Sequence, residues 1–159
     1  MLFRSCIHEI DYLYWFFGSP KKVISMTGSY SDLGIAVDDL AAAILEFKNG
    51  IVAEVHLDYF QRPDFRSCKI IGMNGTIYWD SETNEVKIYD IKTRSWKIKF
   101  KLKKYERNKM YVREIQNFFY CIKRKKETIN DLKQGIDTLI IALKIIESSR
   151  KRKMITIEE

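Results

Sequence analysis

His8 and Asp11 stand three residues apart near the start of the sequence, within His8-Glu9-Ile10-Asp11-Tyr12-Leu13. On a helix that spacing puts both side chains on one face. A carboxylate beside an imidazole can accept a proton from one ring nitrogen and so set the tautomer. An imidazole held in this way can move a proton to or from a hydroxyl-bearing carbon. The plainer alternative is a satisfied polar pair near a helix start. As metal ligands the two are a weak set, because no H-E-x-x-H or comparable spacing accompanies them. The other histidine, His56, falls between Glu54 and Asp58 on a strand face and reads as solvated or interface-facing. Arg62 and Arg66 carry guanidinium forks that match a carboxylate or phosphate, with surface ion pairing as the alternative.

Other chemistries lack their motifs. Glycines fall at 18, 28, 34, 50, 72, 75 and 135, and no three of them form G-x-G-x-x-G or a P-loop. There is no G-x-S-x-G elbow. Cys6 and His8 are two apart, which on a helix turns them to different sides. Cys6, Cys68 and Cys121 are odd in number and widely spaced. That argues against a disulfide framework or zinc site and for a reducing, cytoplasmic setting. No apolar run is long enough to span a bilayer. Arg4, His8, Glu9 and Asp11 interrupt the apolar N-terminus, unlike the centre of a signal peptide.

These residues need elements to position them. A chain of 159 residues, 46% hydrophobic and 31% charged, reads as a single domain, 1–159, with enough apolar side chains for a core. A first helix is expected over 5–17, ended by Gly18 in a left-handed conformation, with Pro20 just beyond. Strands are expected at 22–30, 39–47 and 51–60. The last two are joined by Lys48-Asn49-Gly50-Ile51, where Asn-Gly signals a two-residue hairpin turn with positive φ at both. Such a turn pairs Phe47 with Val52, Leu45 with Glu54, Ala43 with His56 and Ala41 with Asp58. Ile44 then pairs with Val55, and Ala42 with Leu57, on the other face.

Further strands read at 66–71, 76–79, 85–89 and 96–102, and a short one at 154–157. Two closing helices show apolar stripes: Tyr111, Ile115, Phe118, Phe119 and Ile122, then Leu132, Ile136, Leu139, Leu143 and Ile146. Asp131 and Gln134 form a capping box at the second. Helix, many antiparallel strands and two helices argue for an α+β fold with helices on one sheet face.

The formal charge of +7 raises the question of nucleic acid. Strict alternation over 96–104 places Lys97, Lys99, Lys101 and Lys103 on one strand face and Ile98, Phe100 and Leu102 on the other. That pattern reads first as a wet strand face, not as a phosphate track.

In order and spacing, these pieces resemble the C-terminal domain of the Gfo/Idh/MocA oxidoreductases. The matching residues are His8 to Leu13 with Trp15 and Gly18, Val37-Asp38-Asp39, Phe47-Lys48-Asn49-Gly50 and Ile71-Gly72-Met73-Asn74-Gly75-Thr76-Ile77. Tyr111-Val112-Arg113-Glu114 with Phe118, Gly135 with Leu139, and the segment from Glu147-Ser148-Ser149 to Ile155 complete them.

The resemblance implies an open, mostly antiparallel mixed sheet of the glyceraldehyde-3-phosphate-dehydrogenase C-terminal type. One face carries the helices and the exposed face serves dimer contact. It implies His8 and Asp11 as catalytic residues and a sugar or sugar derivative as substrate; Tyr12, Arg62 and Arg66 are the residues expected to bind it. NAD or NADP would be held by a separate Rossmann domain, so this chain alone is expected to bind no cofactor and to be inactive. The family's Glu-Lys-Pro motif does not occur here, and Ser5 and Arg4 stand where many members carry an aspartate before the histidine. The alternative is a stand-alone, non-catalytic binding or oligomerisation module. Neither a membrane nor a specific nucleic acid is expected as partner.

Overall fold

The computed structural model describes residues 2–103 and 105–157, with side chains from Ile7 onward, so the side chains of Arg4, Ser5 and Cys6 lie outside the described residues. Two compact units emerge: Met1–Phe60 with Glu127–Glu159, and Gln61–Lys126. No helix among the described residues is long and apolar enough to cross a membrane.

The first unit holds helix α1 (Leu2–Phe17), strands β1 (Pro20–Gly28), β2 (Leu40–Phe47) and β3 (Val52–Asp58), and, after the second unit, helix α3 and strand β8. α1 ends as its residues foretell: Gly18 has φ +78 and its N–H donates to the Tyr14 carbonyl at 2.7 Å. α3 (Leu132–Lys151) starts at Asp131, whose carboxylate accepts from the Gln134 N–H at 2.8 Å. β8 (Ile155–Thr156) completes an antiparallel sheet of order β3-β2-β1-β8.

The β2–β3 register differs by one residue from the two-residue-turn expectation. Leu45 faces Ala53, Ala43 faces Val55 and Ala41 faces Leu57. The Phe47 N–H donates to Ile51 at 2.8 Å, closing a loop of Lys48, Asn49 and Gly50 in which Gly50, at φ +79, is the one residue with positive φ. Packing explains the slip. In the observed register Ala41, Ala43, Leu45 and Phe47 share a buried face with Val55 and Leu57, whereas the expected one would set Leu45 beside Glu54. Ile10 and Leu13 of α1, with Ile141, Ala142 and Ile145 of α3, complete this core. Full burial of a side chain such as Phe47, Leu45 or Ile145 contributes about 1.5–3 kcal/mol each.

α3 also packs by a different stripe from the one its leucines suggest. Thr138, Ile141, Ala142, Ile145 and Ser148 are buried, while Leu132, Ile136, Leu139 and Leu143 are exposed. The reason lies at the β1 edge. β8 covers it only at Lys22 and Val23. Beyond, Ser148 Oγ accepts from the Ser25 N–H at 3.1 Å and Ser149 Oγ from the Thr27 N–H at 2.8 Å, while Ser25 Oγ donates to the Ile145 carbonyl at 2.6 Å. Hydroxyls on the inner face of α3 thus satisfy backbone groups that a leucine stripe would leave unpaired.

The second unit is a meander, β4 (Ser67–Gly72), β5 (Gly75–Asp80), β6 (Glu85–Asp90) and β7 (Ser95–Lys101), followed by α2 (Arg107–Arg124). The strands thus divide into two four-stranded sheets. The lysine alternation of β7 is broken by a register shift: Lys87 faces Ile98 but Val86 faces Phe100. The intervening Lys99 is the extra residue of a bulge. Lys101 therefore lands on the face of Ile98 and Trp96, and Phe100 on the face of Lys97, contrary to strict alternation. On α2, Tyr111, Ile115, Phe118, Phe119 and Ile122 are exposed and Cys121 is buried.

Candidate functional site

α1 buries Ile10 and Leu13, which turns His8 and Trp15 outward, while Tyr12 is half-buried and packs against the core. His8 is exposed, and Tyr12 lies one turn further on. The Tyr12 ring meets Phe16 at 5.8 Å, and Trp15 meets Phe16 at 5.3 Å.

Asp11 lies at the junction with α3. Its Oδ1 accepts from Thr138 Oγ1 at 3.1 Å and its Oδ2 from Asn130 Nδ2 at 3.3 Å. Both carboxylate oxygens are engaged by the α3 side. Among the described residues no hydrogen bond joins Asp11 to His8. One turn along, the Tyr14 hydroxyl donates to Asp137 Oδ2 at 2.8 Å, and Lys133 Nζ approaches the same oxygen at 3.3 Å. The Tyr14 hydrogen bond, then Lys133, holds the Asp137 carboxyl below the usual carboxylate range. Two carboxylates thus fix the rotation of α1 about its axis, and with it the direction of His8.

Asn130, Thr138 and the Tyr14–Asp137 pair were not singled out by spacing or motif. Their signal in the sequence is a hydroxyl at 138, set among Ile141 and Ile145 at helical spacing.

His56 lies on the open face of the first sheet, where it faces Ala42, and its Nε2 is 3.0 Å from Asp58 Oδ2. Arg62 and Arg66 belong to the second unit, and His8, Asp11 and Tyr12 to the first. Arg62 donates to the Gln61 carbonyl at 2.8 Å, and the Arg66 guanidinium sits 5.9 Å from the centre of the Trp79 ring. Among the described residues no group of three or more His, Cys, Asp or Glu side chains could hold a metal ion.

A dinucleotide needs a glycine-rich turn from a strand into a helix N-terminus, where free N–H groups and the helix dipole receive the pyrophosphate. The described residues do not fit one. α2 begins after Glu106 and α3 after Asp131, acidic positions that oppose a diphosphate. Gly50 and Gly75 serve antiparallel hairpins.

The description "oxidoreductase family, C-terminal alpha/beta domain" of the Gfo/Idh/MocA proteins matches residues 1–157. The chain belongs to the Gfo/Idh/MocA oxidoreductase family. It is similar in fold to levoglucosan dehydrogenase in complex with NADH (TM-score 0.85, 18% identity, 96% of this chain and 48% of that one). It is also similar to the WlbA dehydrogenase of Bordetella pertussis in complex with NADH and UDP-GlcNAcA (TM-score 0.73, 21% identity, 98% and 44%). A third is UDP-N-acetylglucosamine 3-dehydrogenase of Acidithiobacillus ferrooxidans (TM-score 0.77, 21% identity, 91% and 45%). This Gfo/Idh/MocA chain therefore spans about half the length of the solved structures it matches. No curated protein matches its sequence.

Proposed function

We propose that the chain is the substrate-binding half of an NAD(P)-dependent oxidoreductase of sugars or sugar derivatives. In this reading His8 moves the proton of a substrate hydroxyl, Asp11 positions the helix that carries it, and Tyr12 flanks the sugar. The observation that carries the reading is the clamp of Asp11 on Thr138 and Asn130, which presents His8 outward on a fixed helix. Family membership over residues 1–157 supports it. A dinucleotide would be held by residues outside the two described units, so no hydride step is assigned to the residues described. Arg62 and Arg66 are proposed as anion grips within their own unit.

The test is turnover. The purified chain with NAD or NADP and levoglucosan or UDP-N-acetylglucosamine should form no reduced nucleotide. Addition of the nucleotide-binding domain of levoglucosan dehydrogenase should restore it, and His8→Ala should abolish it. Turnover by the chain alone, or an active His8→Ala complex, would overturn the proposal.

A second reading, a non-catalytic binding and dimerisation module, is favoured by the open face of the first sheet. Ile24, Met26, Ile44 and Val52 are between 41% and 65% exposed there. A face of that kind is where a second copy would pack. Its test is sedimentation, in which a monomer at every concentration would count against it.

A further inference from the structure

The second unit is basic, with 18 lysines and arginines against seven acidic residues, yet the cleft on its sheet is not. Tyr78, Glu85, Lys87, Trp96 and Ile98 line that cleft, an open hollow of about 510 Å³, so one carboxylate stands there against one ammonium. Strand pairing brings the lining together: Tyr78 faces Lys87, which faces Ile98, and Tyr89 faces Trp96 in the next row.

Glu85 meets Lys87 Nζ at 3.0 Å through one oxygen and Lys101 Nζ at 2.6 Å through the other. The Lys101 hydrogen bond, then that of Lys87, holds the Glu85 carboxyl below the usual carboxylate range, and Glu85 holds the Lys87 ammonium above its own. Both groups therefore stay charged at neutral pH and cancel each other within the cleft. Trp96 is 51% exposed and braced by Tyr89, with ring centres 5.4 Å apart, so it offers a flat face fixed in place.

We propose that this cleft binds a neutral pyranose ring, its apolar C–H face laid on Trp96 and its hydroxyls set against the Glu85–Lys87 pair. A compensated lining gives an anion no unpaired cation to meet, which favours an uncharged occupant. A wholly apolar ligand would strip water from Glu85 and Lys87 without replacing its hydrogen bonds, at a cost. Sugar hydroxyls do replace them, since each both donates and accepts, while an ammonium has three N–H groups and a carboxylate about four acceptor sites. The negative π-face of an indole attracts the C–H groups of a flat sugar face. The volume lies within the roughly 300–1,000 Å³ of small-molecule sites. This cleft belongs to the second unit, and the inference does not depend on the reading of His8.

The experiment is titration of the full chain with glucose and with cellotetraose, followed by tryptophan fluorescence and calorimetry at low and high salt. Tetragalacturonate serves as the charged counterpart, and sorbitol has the hydroxyls without the ring. The neutral sugar should bind saturably at millimolar concentration with no dependence on salt, and sorbitol should not bind. Equal binding of glucose identifies a free sugar as the occupant and tighter binding of cellotetraose a glycan chain; either bears out the proposal. Trp96→Ala should weaken binding about tenfold and remove the fluorescence change, while Trp96→Phe, which keeps a ring, should recover most of the affinity. Glu85→Gln should weaken the neutral sugar and introduce salt-dependent binding of tetragalacturonate, because two lysines lose their counter-charge. His8→Ala should change neither, which separates this cleft from the site on α1. The proposal is overturned if neither neutral sugar binds, if Trp96→Ala binds as tightly as the unaltered chain, or if the unaltered chain prefers tetragalacturonate.

Discussion

At the scale of single residues, the account depends on Asp11 as a clamp between helices. Thr138 is buried, and its hydroxyl has Asp11 as partner, so Thr138→Val removes a hydrogen bond to a carboxylate at nearly constant volume. We expect a loss of about 1.5–3 kcal/mol in urea unfolding. Acid should act on the same class of contacts. Lys151 and then Lys144 pull the Glu147 carboxyl down to about 2. The Ser31 hydroxyl lowers that of Asp39, and the Tyr14 hydroxyl that of Asp137. A carboxylate depressed on folding contributes stability above its unfolded pKa, near 4, and loses it as pH falls through the folded value. Thermal unfolding should therefore show a plateau above about pH 5 and a midpoint that drops progressively below about pH 4. A midpoint that rises on acidification would contradict these assignments.

At the scale of elements, what could be read from the sequence depended on how local its cause was. Gly18 and Asp131 mark helix ends because their effects act within one turn, and both ends are where their residues indicate. The β2–β3 register was not legible, since Asn49-Gly50 is compatible with loops of two or three residues and the choice is made by Val55 and Leu57 against the core. The inner face of α3 was likewise hidden, because Thr138 and Ser148 become interior residues only once Asp11 and the Ser25 N–H lie opposite them. The bulge at Lys99 has no local signal in an alternating run. The spacing of His8 and Asp11 was visible, but that Asp11 turns to Asn130 and Thr138 instead of to His8 was not. Two substitutions test these elements. Ser148→Ala should leave the Ser25 N–H unpaired in a buried setting and cost about 1–3 kcal/mol. Gly50→Ala should cost about 1–2 kcal/mol, because its left-handed conformation strains a residue with a Cβ. Both are read from shifts in the urea midpoint at constant m-value.

At the scale of the whole molecule, the chain is one domain type of a family whose solved members are about twice its length. It carries a sheet face with exposed apolar side chains and a strongly basic second unit. If copies associate through the open face of the first sheet, Ile44→Glu should convert a dimer to a monomer in sedimentation without unfolding it, since Ile44 is 46% exposed. The central claim, that His8 meets a sugar, has a direct test because the chain has only two histidines. Imidazole resonances of the full chain would be followed by NMR during titration with levoglucosan and with UDP-N-acetylglucosamine, using His56→Asn for assignment. The account predicts saturable movement of the His8 resonances by at least one of these sugars, with His56 unmoved. A sugar that shifts only His56, or no response of His8 to either at millimolar concentration, would contradict it.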